Sequence, residues 1–177
     1  MHRLWRFRVR PDVAILDISL KSGSGIELIK RIKARHAAVR VLVWSMYPEQ
    51  VYAERALRAG AQGYVHKGRA TREILDALRA VVAGRVYLSG DLTDRLLQRL
   101  VGRGKSPGRA PVEVLSDREL ETFELMGEGL TTAQIAQKMH VSLKTVETYR
   151  ARIKQKLGVK NVNELMQRAV QSRLELG

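Results

Sequence analysis

The sequence predicts an α/β domain, three strand–helix units forming a parallel sheet, followed by an all-α domain of four helices. Three observations carry that expectation. Short apolar runs at 13–16, 41–44 and 63–66 each end at a polar residue and are followed by a helical pattern, the rhythm of a parallel sheet buried on both faces. Beyond residue 111 the strand signals stop and helix-start signals recur at short intervals. Between the two parts, residues 101–111 hold three glycines and two prolines, the composition of a flexible linker that separates the domains cleanly. The division is therefore 1–88, a connector helix with its linker at 89–111, and 112–177.

Residues 1–10 alternate Trp5, Phe7 and Val9 with Arg6, Arg8 and Arg10, a pattern that fits an amphipathic strand or a basic arm equally well. The first apolar strand, 13–16, ends in Asp17; a Gly/Ser-rich turn then leads to a helix over 25–35. The second, 41–44, ends in Ser45 and precedes a helix over 48–59. The third, 63–66, ends in Lys67 and precedes a helix over 71–82, with a short connector helix over 91–100. Ligands bind outside the carboxyl ends of parallel strands, so Asp17, Ser45 and Lys67 should converge on one site. Their chemistry is coherent. A carboxylate can become an aspartyl phosphate, while an ammonium and a hydroxyl can hold the phosphoryl oxygens.

In the second half, Ser116 with Glu119 and Thr131 with Gln134 each have the spacing of a capping box. They open helices over 117–126 and 132–139. A brief turn, His140 to Ser142, leads into a long helix that ends at Gly158, and Asn161 to Glu164 open a fourth helix through about residue 173. In the long helix Val146, Tyr149, Ile153 and Leu157 form one apolar stripe, leaving Lys144, Glu147, Thr148, Ala151, Arg152 and Gln155 on the other side. In the fourth, Leu165, Ala169 and Val170 should face inward. Short helix, tight turn and long cationic helix is the order of a helix-turn-helix, whose second helix enters the major groove of duplex DNA. Glu147 could accept from a cytosine amino group, Thr148 could serve either way, and Ala151 could touch a thymine methyl. Glu147 could equally form a surface ion pair with Lys144 or Arg150.

Composition narrows the possibilities. There is no cysteine, and the four histidines have no zinc spacing. No apolar run approaches the ~18 residues of a membrane span, and the opening residues lack the apolar core of a secretory signal, so a cytoplasmic protein without a membrane partner is expected. The net charge of +14 suggests a polyanion partner. Most of it lies in residues 1–110, with 22 Lys/Arg against 9 Asp/Glu; residues 111–177 carry 10 against 9. The charge of the helical part is thus concentrated on one helix. No complete catalytic constellation is present, which argues against an enzyme.

The second half resembles the LuxR/FixJ-type DNA-binding domain from residue 115 to 170: Glu119, the E-G-L-T-x-x-x-I-A block from Glu128, the V-S-x-K-T-V turn from Val141 and the K-L-G-V close from Lys156 all match. That resemblance implies base contacts from Glu147, Thr148 and Ala151, and phosphate contacts from Lys144, Thr145, Arg152 and Lys156. The first half is similar to the response-regulator receiver, a flavodoxin-like fold, in its phosphoacceptor loop, its V-L-V-W-S-M strand from Val41 and its G-Y-V-H-K-G strand from Gly63. The resemblance implies Asp17 as phosphoacceptor, Ser45 as switch hydroxyl, Tyr64 as switch aromatic and Lys67 as the phosphate-pairing lysine. It further implies a histidine kinase as partner and a homodimer on DNA.

The sequence departs from the receiver pattern at its beginning. The family's first strand ends in an acidic pair that holds Mg²⁺, yet residues 1–10 contain no acid. The expectation is a partial receiver truncated at its amino end, with strand 13–16 at an open edge and any Mg²⁺ resting on Asp17. The function expected is a DNA-binding transcription regulator of the LuxR/FixJ (NarL-type) response-regulator class. Two alternatives remain: an interaction module that forms heterodimers with full-length relatives, and a fragment of a longer regulator.

Overall fold

A computed structural model describes residues 11–20, 23–101 and 111–176. The alternating segment 1–10 and nearly all of the linker expected at 101–111 lie outside these residues. In chain order the elements are β1 (Val13–Leu16), β2 (Ser19–Leu20), β3 (Gly23–Ser24), α1 (Gly25–Arg35), β4 (Arg40–Ser45), α2 (Glu49–Arg58), β5 (Gly63–His66), α3 (Thr71–Val82) and α4 (Gly90–Leu100). After a 3₁₀ turn at Pro111–Val114 follow α5 (Asp117–Gly127), α6 (Thr132–Met139), α7 (Leu143–Leu157) and α8 (Val162–Leu176).

The three apolar runs form a parallel sheet in the order β1-β4-β5. Register places Leu16 beside Val43 and Val43 beside Tyr64. That face packs with Ile26, Ile29, Tyr52, Ala53 and Ala56 of the neighbouring helices. The opposite face packs Leu42 and Val65 against Ala77 and Val81 of α3. Its cover is incomplete: Ile15 is 46% and Trp44 40% exposed. The expectation of a sheet buried on both faces is corrected there; α3 packs chiefly over β4 and β5. Among the described residues β1 and β5 are the edge strands of this sheet. The Gly/Ser-rich turn holds a small antiparallel ladder, β2 with β3, that period-two patterning is too short to signal.

Both expected capping boxes form. Ser116 accepts from the Glu119 amide and Thr131 from the Gln134 amide, while each partner side chain reaches back to the cap backbone. α6 ends at His140, which takes the left-handed conformation at φ 54°, and α7 ends at Gly158 at φ 66°, the usual glycine solution for a helix C-terminus. α5 and α8 approach closely at Gly127, where a Cβ would stand 2.7 Å from the Ala169 carbonyl oxygen. Leu165 and Ala169 of α8 are buried as expected. Val170 is not: at 41% exposed it lies about 100° past Ala169, beyond the contact with α5.

The clean separation of the two domains is also corrected. One continuous apolar cluster runs from Val41, Tyr47 and Tyr52 through Val112 and Leu115 to Leu120, Phe123 and Ile153. Arg55 of α2 binds the Asp117 carboxylate at 3.1 Å and the Val112 carbonyl at 3.0 Å, and Lys30 of α1 reaches Asp117 at 3.4 Å. α5 is in consequence buried around its whole circumference over residues 119–126, Glu121, Thr122 and Glu124 included.

Candidate nucleic-acid interface and strand-end site

Sequence periodicity and cap chemistry together orient α7. Ser142 caps its first turn, accepting from the Thr145 amide at 3.1 Å, and Val146 and Ile153 are fully buried beneath it. Lys144, Glu147, Thr148, Ala151, Arg152 and Gln155 are all exposed on the other side, as the stripe requires. The Thr148 hydroxyl donates to the Lys144 carbonyl at 2.9 Å, which leaves its lone pairs free toward solvent. Arg150, one of the partners considered for Glu147, donates instead to the Thr132 hydroxyl at 2.5 Å and ties α7 to α6. Lys156 has a second engagement. Its ammonium lies 2.6 Å from the buried Glu119 carboxylate, which also accepts from the Ser116 amide. Burial alone would raise the Glu119 carboxyl, but Lys156 and Ser116 outweigh it and hold the group below the usual carboxylate range. Lys156 therefore fixes the far end of α7 to the start of α5. Glu119 and Lys156 lie 37 residues apart, so no local pattern signals this pair.

At the other end of the molecule, the three strand ends do meet. Ser45 donates its hydroxyl to Asp17 Oδ1 at 2.8 Å, the Ser19 amide donates to the same oxygen at 3.1 Å, and Lys67 Nζ lies 2.5 Å from Oδ2. Burial raises the Asp17 carboxyl, yet the Lys67 ammonium, the Ser45 hydroxyl and the Ser19 amide more than compensate and hold it below its ordinary value. The Trp44 ring stacks under the Lys67 ammonium at 5.5 Å, a cation–π contact the sequence did not announce. Tyr64 points inward, and its hydroxyl donates to the Tyr47 carbonyl at 2.8 Å. Burial pushes that hydroxyl far up, so it stays protonated.

The donor set around Asp17 does not fit a divalent cation. Both of its oxygens are already satisfied, and among the described residues no group of three His, Cys, Asp or Glu side chains could hold a metal. Residues 1–10 add no acid. Hard cations need several oxygen donors, and a single carboxylate neutralised by lysine supplies too few.

An aspartate, hydroxyl and lysine gathered at parallel strand ends, joined to a helix-turn-helix with an open cationic face, define a regulator with a receiver and a DNA-binding half. Comparison with known families agrees: residues 2–79 match the response regulator receiver domain, and residues 113–169 match the bacterial regulatory proteins of the luxR family. The chain belongs to the two-component response regulators with a LuxR-type DNA-binding domain, a family of transcription regulators.

Among its relatives is the oxygen regulatory protein NreC. The Staphylococcus carnosus protein is 34% identical over 169 residues, covering 93% of this chain and 78% of the relative. The Staphylococcus aureus protein is 33% identical with the same coverage. RcsB from Salmonella enterica serovar Typhimurium, solved on promoter rprA with the phosphomimetic BeF3-, is similar at 29% identity and a TM-score of 0.55, covering 90% of this chain and 75% of that one. Another Salmonella typhimurium RcsB structure gives 28% identity and a TM-score of 0.60, covering 90% and 73%. The receiver match begins at residue 2, so the expected amino-terminal truncation is not supported. That expectation had rested on the absence of any acid from residues 1–10.

Proposed function

We propose that this regulator binds double-stranded DNA sequence-specifically through α7, and that its DNA binding does not depend on phosphate. The exposed face of α7 carries the reading: the contact between the two halves buries α5 and leaves Lys144, Glu147, Thr148, Ala151 and Arg152 open. Lys144, Thr145 and Arg152 would meet phosphates, with Lys156 sharing its charge between DNA and Glu119. Glu147, Thr148 and Ala151 would face base edges. RcsB is described on promoter DNA, and as two dimers on two DNAs; by analogy this chain would bind as a homodimer on paired half-sites, in the cytoplasm. The division at 1–88, 89–111 and 112–177 fits this arrangement.

Asp17 would be the phosphoacceptor for a histidine kinase, with Ser45, Tyr64 and Lys67 as the responding groups. A Mg²⁺ ion would supply charge neutralisation in that transfer. No fitting donor set for it exists among the described residues, so the Asp17–Lys67 pair is expected to persist. Treatment with acetyl phosphate and Mg²⁺ should therefore leave DNA affinity within about twofold, and Asp17→Ala should behave alike. An enhancement by acetyl phosphate that disappears in Asp17→Ala would overturn this reading.

A further inference from the structure

The side of α5 turned toward the α/β half is a stripe of acids, Asp117, Glu121, Glu124 and Glu128, spaced by three and four residues. Three of them are paired. Asp117 binds Arg55 and Lys30, Glu121 binds Arg118 at 2.9 Å, and Glu128 binds Lys138 at 2.9 Å and Arg173 at 3.2 Å. Glu124 differs. It is only 6% exposed, and its Oε1 has no hydrogen-bond partner. Across the interface stand Tyr47 and Tyr52, stacked with ring centroids 4.7 Å apart. The Tyr52 hydroxyl, on a side chain 1% exposed, is likewise unpartnered. Two orphan polar atoms at one interface mark a place where closure carries a desolvation cost.

We infer that closure of the DNA-binding half onto the receiver half takes up a proton at Glu124, so that the interface tightens in acid and is held loosely at neutral pH.

The charged groups around Glu124 support this. Arg173 of α8 favours the carboxylate, but it is committed to Glu128, which itself repels Glu124. Lys138 of α6 is committed to Glu128 as well. From the receiver side come Tyr47 and Tyr52, both uncharged with hydroxyls pushed far up by burial. The cleft beside them, about 660 Å³, is lined on the receiver side by Asp17, Glu49, His66 and Arg69; Asp17 is neutralised by Lys67 and Glu49 accepts from the Ser89 amide. Nothing from the receiver half pairs with Glu124 among the described residues. Burial accordingly raises the Glu124 carboxyl from 4.5 to about 6.

The sign follows from linkage. A carboxyl raised on closure makes the closed form bind more protons, so closure is favoured as pH falls. That preference is lost as pH rises through about 6, and is flat above it. Were the whole rise from the ordinary carboxylate value of 4.5 to about 6 to arise on closure, it would correspond to about 30-fold in the closing equilibrium.

The test uses the full chain, which has no cysteine. Ala38→Cys and Gln167→Cys, both at exposed positions, carry a donor and an acceptor dye, and energy transfer reports the closed fraction. The closing constant should fall about eightfold between about pH 5 and about pH 7.5. Glu124→Gln should abolish that trend and raise closure at neutral pH by up to about 30-fold. A flat profile in the unsubstituted chain overturns the inference without recourse to any variant. So does a trend that persists in Glu124→Gln, which would assign it to another group.

Discussion

Ala151→Glu should reduce affinity for a selected duplex by at least about 100-fold while leaving the fold intact. Ala151 is exposed in the middle of α7, between Thr148 and Arg152. A carboxylate there meets the negative edge of a groove flanked by phosphates, and it displaces whatever apolar contact the methyl makes. A lost base contact costs about 1–3 kcal/mol, and the charge reversal adds to it. Glutamate is a good helix former, so thermal stability should stay within about 0.5 kcal/mol of the parent. Titration of a labelled duplex at fixed salt, with circular dichroism on the same sample, reads both quantities. Unchanged affinity would remove α7 from the interface.

Ile153→Ala should have the largest effect on stability. Ile153 is completely buried on the inner stripe of α7 and belongs to the cluster that joins α5, α7 and α8. Removing its side chain costs about 2–5 kcal/mol in lost transfer and cavity. A helical unit this small has a total stability of only about 5 kcal/mol. The variant should therefore lose most of its cooperative unfolding transition in the helical half and most of its DNA binding at 37 °C, with both recovering on cooling. Calorimetry decides the matter; a loss under about 1 kcal/mol would mean that α7 does not pack as described.

What was legible in the sequence was local. Ser116, Thr131 and Ser142 announced three helix starts because each cap is decided within four residues. Val146 and Ile153 announced the buried face of α7 because period 3.6 is a local property. Asp17, Ser45 and Lys67 were legible as one site because parallel strands bring their carboxyl ends together whatever the loops do.

Apart from the truncation, what was not legible was a matter of tertiary neighbours. Glu121 and Glu124 are buried on α5, which no local pattern signals. Arg55 clamps Asp117 and the Val112 carbonyl, 62 and 57 residues away, beyond any local pattern. The glycine and proline content of 101–111 pointed to separated domains, but linker composition sets reach and says nothing of what the domains do when they meet. Val170 was placed inward by its apolar character alone, although an exposed valine is ordinary. The pairing of Lys156 with Glu119 spans 37 residues, so no local pattern signals it.

The central claim is that this chain reads DNA sequence through the open face of α7. Selection from a pool of random duplexes by the full chain, with the enriched species titrated at about 50 and about 200 mM salt, addresses it most directly. An enriched motif is expected, with affinity that falls by about 10³ or more between the two salts if some six phosphates are contacted. Failure to enrich any motif, with only weak binding indifferent to duplex sequence, would contradict it and leave a module that acts through protein partners.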